Sequence, residues 1–284
     1  MAIYKGNKKV VAVYKGSTPI NKIYKGVTLV FQKSGGGGST HLFEGTATGN
    51  FNMSINGNSI PITPDASGKW FYDTDEKITS LNRTFNRALA VTSVDLSNLD
   101  LTGISTGNMF NGCSNIKSIK FNNTKSMKLV DVISMFDGCS KLVSLDLSTF
   151  DTSSLQNARF LFSGCSKLVS LDLSSFDTSS LQNANSLFAN CSSLVSLDLS
   201  HWNTSNLTSA TSLFNGCTSL KTLDLSNFDM SKATSYNNMF KNCTSLSTIK
   251  CKQAFKDWCI TNQDAISLPD AMREGGSGTW EIIG

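Results

Sequence analysis

Histidine is almost absent from this sequence: two copies, His41 and His201, occur in 284 residues. No nucleophile, base and orienting acid recur at fixed places around them, so no enzyme is expected. No local cluster of cysteine or histidine has the short ligand spacing of a zinc site, and neither a metal nor another cofactor is expected. No apolar run approaches the roughly 18 residues of a spanning helix, which predicts no membrane insertion. Charge is also scarce. A net charge of +4 is too small for a broadly nucleic-acid-binding surface, and nucleic acid is not an expected partner. The opening MAIYKGNKKV holds neither an apolar signal core nor a lipobox-like cysteine, which argues against autonomous secretion.

What the sequence has is repetition. Cys113, Cys139, Cys165, Cys191, Cys217 and Cys243 fall 26 residues apart, and Phe110, Phe136, Phe162, Phe188, Phe214 and Phe240 keep the same step three residues earlier. Register this strict means a stack of supersecondary units. Within 144–169, Ser144, Asp146 and Ser148 alternate with Leu145 and Leu147. That period of two predicts a strand with leucines on one face and small polar groups on the other. Asp151 then stands where a helix N-cap belongs, and Asn203 fills the slot in a later unit, a swap that fits a hydrogen-bond acceptor better than a charge. Leu155, Ala158 and Phe162 give a short helix one apolar face. Gly112, Gly138, Gly164, Asn190, Gly216 and Asn242 precede the cysteines, and Gly and Asn tolerate the left-handed conformation that closes a helix. The expected fold is a leucine-rich-repeat solenoid, an α/β repeat with a parallel β-sheet and short helices. About seven coils at roughly 4.8 Å would make a sheet some 30 Å wide.

The pattern F-x-G-C-S-x-L-x-S-L-D-L-S-x-F-D-T-S resembles the BspA-like leucine-rich repeats, a surface-protein repeat family of gut bacteria and mycoplasmas, over roughly residues 81–284. The resemblance implies an adhesive cell-surface protein.

Residues 1–34 form a second repeat, with Tyr4-Lys5, Tyr14-Lys15 and Tyr24-Lys25, each followed by glycine, ten residues apart. Each block reads as a strand ending in a tight turn, together a small β-meander. The segment carries seven lysines and no acid; removing those seven from 25 basic residues leaves 18 against 21 acidic, a balance of −3. Three short strands cannot bury a core, so the segment is read as an assembly anchor that needs a partner or its own copies. It resembles N-terminal segments on structural proteins of gut phages. Residues 35–38 are a glycine linker. Residues 39–80 read as a β-rich N-cap with a hairpin at Asn56-Gly57. Residues 81–250 are the repeats, with Ala88 in the first cysteine slot, and 251–284 a C-terminal cap plugged by Trp258 and Trp280.

The ladder cysteines read as buried free thiols acting as small apolar groups; Cys251 and Cys259 lie outside the ladder, where a bond between them is the alternative to two free thiols. The candidate ligand-binding face is the polar side of the strands: Ser144, Asp146, Ser148, Ser170, Asp172, Ser174, Ser196, Asp198, Ser200, Thr222, Asp224 and Ser226. Stacked aspartates repel at sheet spacing, and each one taken singly reads as a solvated guard against edge pairing. The face as a whole reads as a hydroxyl-rich surface for a host glycan or protein. His201 shares its slot with Thr149, Ser175 and Asn227, read as a variable surface position. Phe150, Phe176, Trp202 and Phe228 read as core. Two functions follow. The first is a virion component, a head or tail fibre or decoration protein, assembled in the host cytoplasm and docked on other virion proteins through 1–34. The alternative is a bacterial cell-surface adhesin.

Overall fold

The structure is a computed structural model that describes residues 14–15, 18–19, 22–25, 28–32, 41–122, 126–129 and 131–283. In the N-terminal segment, β1 (Tyr14–Lys15) pairs antiparallel with β2 (Thr18–Pro19), and β3 (Lys22–Lys25) with β4 (Thr28–Gln32). These are two separate two-stranded hairpins. Tyr4 and Lys5 lie outside the described residues.

The N-cap has four strands: β5 (Phe43–Ala47), β6 (Phe51–Ile55), β7 (Asn58–Ile62) and β8 (Lys69–Tyr72). β6 and β7 form the expected hairpin, turned by Asn56 and Gly57 with φ of 50° and 79°, the positive pair that a tight two-residue turn needs. β5 was not anticipated. It joins cap to repeats by pairing antiparallel with β8 and with β9 (Val91–Asp95), the first repeat strand.

The repeats follow as stacked coils. Their strands are β10 (Ser118–Lys120), β11 (Met127–Lys128), β12 (Phe150–Asp151), β13 (Ser196–Asp198), β14 (Thr222–Asp224) and β15 (Thr248–Lys252). Then come α1 (Gln253–Thr261) and β16 (Thr279–Ile283) in the C-terminal cap. The repeat strands do not form the single wide sheet expected. One four-stranded sheet runs β10-β9-β5-β8 and another β13-β14-β15-β16, while residues 144–148 and 170–174 are not regular strand.

The expected short helix is also absent, and the reason is visible in the backbone. In every coil a residue midway through that stretch takes positive φ: Asn108, Ser134, Phe160, Ser186, Ser212 and Asn238 lie between 53° and 59°. A left-handed residue there breaks an α-helix. What replaces it is a run of tight turns in which alternate amides face different ways. Met109, Asn111 and Cys113 N–H close turns on Thr106, Asn108 and Phe110 of the same coil. Asn108, Phe110 and Gly112 N–H donate instead to Ile133, Met135 and Asp137 of the next. The same three cross-coil bonds, 2.6–3.0 Å long, recur from coil to coil from Arg83, Phe85 and Arg87 through to Ser212, Phe214 and Gly216. The glycine-or-asparagine slot is therefore correct for conformation, but it serves a turn ladder. Coils approach closely there: a Cβ on Gly164 would lie 3.2 Å from the Cα of Gly138.

Side chains follow the same step. Phe85, Phe110, Phe136, Phe162, Phe188, Phe214 and Phe240 are fully buried and stack at centroid spacings of 5.2–5.9 Å, tilted by 3–12°. Such offset parallel rings are favourable. Each ladder cysteine is buried and free, yet it is more than a small apolar group. Cys139 Sγ donates to the Phe110 carbonyl at 3.2 Å, and Cys113, Cys165, Cys191, Cys217 and Cys243 do likewise to the phenylalanine of the preceding coil. That carbonyl already accepts the Cys113 N–H of its own coil, so the thiol fills its second lone pair. Cys251 and Cys259 are also free.

The two caps meet opposite needs. At the start, Ser54 and Asn56 N–H of the N-cap donate to the Thr84 and Ser80 carbonyls. At the end, the Ala265 and Ile266 carbonyls accept Asn238 and Phe240 N–H. Phe255, Cys259, Ile266, Leu268 and Met272 close the core; Trp258 and Trp280, expected to do so, are only partly buried and pack against it.

Two outcomes follow. Phe162→Ala, in the middle of the ring stack, is expected to cost about 3–5 kcal/mol in chemical denaturation, since the neighbouring coils are pinned and cannot collapse onto the cavity. A native thiol-labelling assay at mildly alkaline pH should modify none of the six ladder cysteines, because burial pushes Cys113 and Cys217 up to about 12 and moves the others in the same direction. Unfolding should expose all of them.

Candidate functional site

Four coils carry Leu-Asp-Leu-Ser, at 145–148, 171–174, 197–200 and 223–226, and the first carries Val94-Asp95-Leu96-Ser97; in each the aspartate turns the chain. Asp146 Oδ1 accepts the Ser148 N–H at 3.0 Å, and Asp172, Asp198, Asp224 and Asp95 do the same for Ser174, Ser200, Ser226 and Ser97. These are side-chain turns that satisfy an amide two residues on. A second series follows at once: Asp151, Asp177, Asn203 and Asp229 accept the N–H of Ser153, Ser179, Ser205 and Ser231. The acceptor logic behind the Asn203 swap holds, though no helix follows.

These bonds set the charge state. The Ser148 hydroxyl, then its amide, holds the Asp146 carboxyl below the usual range, and the Ser174 amide, then its hydroxyl, does so for Asp172. For Asp224, burial opposes ionisation but the Ser226 hydroxyl and the Lys250 ammonium outweigh it.

The rows expected on this face are in register where strands pair: Ser196 with Thr222, Asp198 with Asp224, Asp224 with Lys250, and Asp95 with Lys120. Lysines close both ends of the aspartate row, Lys120 bonding Asp95 at 3.2 Å and Lys250 bonding Asp224 at 2.9 Å. Asp146, Asp172 and Asp198 between them are exposed and make no ion pair among the described residues. Ser144, Ser170, Ser196 and Thr222 are exposed, as are Ser148 and Ser174; Ser200 is half-buried. Ser226 is a correction. It is buried, with its hydroxyl on Asp224, and presents nothing to a ligand.

Sequence reasoning missed a neighbouring column. Val143, Val169 and Val195 are 55%, 55% and 41% exposed. Lys117 and Lys221 occupy the same slot in the flanking coils. The signal was present in the Leu-Val-Ser-Leu run, where two residues in succession must face outward between buried leucines.

The Thr149, Ser175, His201 and Asn227 slot is not a freely variable surface position. Each side chain donates to a carbonyl of the preceding coil: Asn122, Leu147, Leu173 and Ser200. His201 does so through Nε2–H at 2.7 Å. Phe150, Phe176, Trp202 and Phe228 are buried, as expected, so this column offers no ring to stack on a sugar. Among the described residues no three metal-ligating side chains converge, and no helix is long and apolar enough to cross a membrane. In the N-terminal segment, Tyr14, Lys15, Tyr24 and Lys25 lie in β1 and β3. His41 is tied down: its Nδ1 lies 2.6 Å from Asp73 and its ring stacks on Phe71.

Comparison with known proteins places the repeats. A family model described as "Mycoplasma protein of unknown function, DUF285" matches residues 104–223 and 162–266, together more than half of the chain. No curated protein matches. Among solved structures, a leucine-rich repeat protein from Bacteroides ovatus ATCC 8483 is similar at 16% identity and a TM-score of 0.33, over 68% of this chain and 62% of that one.

Carboxylates that titrate below their unfolded value of about 3.9 stabilise fully above it and lose that contribution as pH falls through the lower folded values. The melting temperature should therefore drop between about pH 4.5 and pH 2. An Asp146→Asn/Asp172→Asn/Asp224→Asn variant keeps the turn acceptors without titrating and should drop less, as read by scanning calorimetry. Asp146→Ala should already melt lower at neutral pH.

Proposed function

Because the chain belongs to the DUF285 family, described as Mycoplasma protein of unknown function, we propose that it is a non-enzymatic adhesive protein of a bacterial cell surface, a leucine-rich-repeat solenoid that holds one face to a macromolecular partner. One observation carries this. Most polar groups inside the stack are taken up by coil-to-coil bonding, the buried Trp202 indole N–H being left without a partner among the described residues, whereas Val143, Val169 and Val195 stay exposed in three adjacent coils, beside the exposed serines and aspartates. An apolar column left about half exposed on an otherwise polar surface is a feature of contact sites.

A protein partner suits this face better than a glycan. The aromatic column is buried, and the face offers valines and carboxylates in place of rings. Residues 1–34 serve as the docking segment on a larger assembly. The virion placement draws no support from the family match, which covers repeats and the first part of the C-terminal cap and does not reach residues 1–34.

The test is binding of fluorescently labelled full-length chain to a panel of bacterial and animal cells. Val143→Ser/Val169→Ser/Val195→Ser, at exposed positions, should fold normally and bind at least about tenfold more weakly. Equal binding by the variant sinks this face as the site, and no binding to any surface sinks the adhesive role.

A further inference from the structure

On the reading that this face is the binding site, we infer that its partner is a second copy of the same chain, docked face to face about a two-fold axis.

The order of side chains along each coil is the reason. Lys141, Val143, Ser144 and Asp146 succeed one another outward, and the next coil repeats them as Lys167, Val169, Ser170 and Asp172; all are exposed. Across these two coils the face thus carries a lysine pair, a valine pair and an aspartate pair, and Val195 and Asp198 continue the last two while Ser193 takes the lysine's place. A basic partner would meet the lysines. An acidic partner would meet the aspartates. A surface that fits both must present the columns in reverse order around an apolar centre, and this face seen from the opposite side does so.

Positions 141 and 146 are centred between 143 and 144, so a two-fold axis along the stack there brings Lys141 over the partner copy's aspartate column and Lys167 likewise. The valine columns then lie against each other at the axis. Five residues of chain, at most roughly 17 Å if fully extended, separate the charged columns, and Val143 and Ser144 lie between them. Such a contact is isologous and closed, so it yields a dimer and not a filament. Lys117 and Lys221, at the ends of the valine column, face their own copies across the axis and confine the contact to the three coils between them. The Lys141 ammonium is held at 2.6 Å by Asn115 Oδ1, which orients it without neutralising it. An adhesive protein built this way would join surfaces that both carry it.

Light scattering of the full-length chain over a concentration series tests this. The wild type should show a reversible monomer–dimer equilibrium. Lys141→Glu/Lys167→Glu should weaken the dimer at least about tenfold. Adding Asp146→Asn/Asp172→Asn to that variant, which removes the facing charges but retains the turn acceptors, should restore it. A wild type that stays monomeric up to about 1 mM, or a dimer indifferent to Lys141→Glu/Lys167→Glu, overturns the proposal. The cell-binding loss of the serine variant is independent of that result, so a monomer that still binds cells through the valines removes the second copy and leaves the face.

Discussion

The stack depends on one arrangement: alternate amides in a run of tight turns donate within the coil and across to the next. Three cross-coil bonds per boundary fix register more firmly than the short strands do, which pair over only three residues between β13 and β14. That is why the strand ladder can lapse at 144–148 and 170–174 while the phenylalanine stack passes through undisturbed. The cost is paid in conformation. Each coil holds two left-handed residues four apart, such as Phe160 and Gly164, and a non-glycine in that region is strained. A stack this regular over-determines the strained positions from both sides.

Around that ladder the polar side chains divide into those the stack uses and those it does not. Thiols of the cysteine column, hydroxyls of Thr106, Thr152, Thr178 and Thr204, and the donors at 149, 175, 201 and 227 all reach carbonyls of an adjoining coil. The turn-forming aspartates use one oxygen for their own turn, and the second oxygens of Asp95 and Asp224 go to Lys120 and Lys250. What remains without a structural duty is a small region of three coils, and it is there that the valines are exposed.

Much of this was legible in the sequence. A 26-residue step names a stack, and alternation at Leu145 and Leu147 names the inward face. The Asn56-Gly57 hairpin stood where local signals put it. The helix was not legible correctly, because Leu155, Ala158 and Phe162 satisfy a helical period and a turn ladder equally. Only backbone angles separate the two, and Ser186 or Phe160 carries no sequence mark of positive φ. β5 was missed because Phe43–Ala47 contains a glycine and too little alternation. Gly45 is required by crowding, since a Cβ there would collide with the Ser93 backbone. For the site, the aspartate and serine rows were readable from period alone. Their turn bonding, the burial of Ser226 and the valine column depend on which neighbours each side chain meets.

The opposed caps carry a further consequence. The N-cap gives amides to the first coil, and the C-terminal cap gives carbonyls to the last. Every internal coil presents carbonyls behind and amides ahead, and so its two sides are already a matched plug and socket. Coil number is thus a free parameter of the architecture. A whole unit can be duplicated or removed between the caps without leaving either end unmatched, and the near-identical units at 144–169 and 170–195 read as that operation already performed, lengthening the reach of the face by one coil each time.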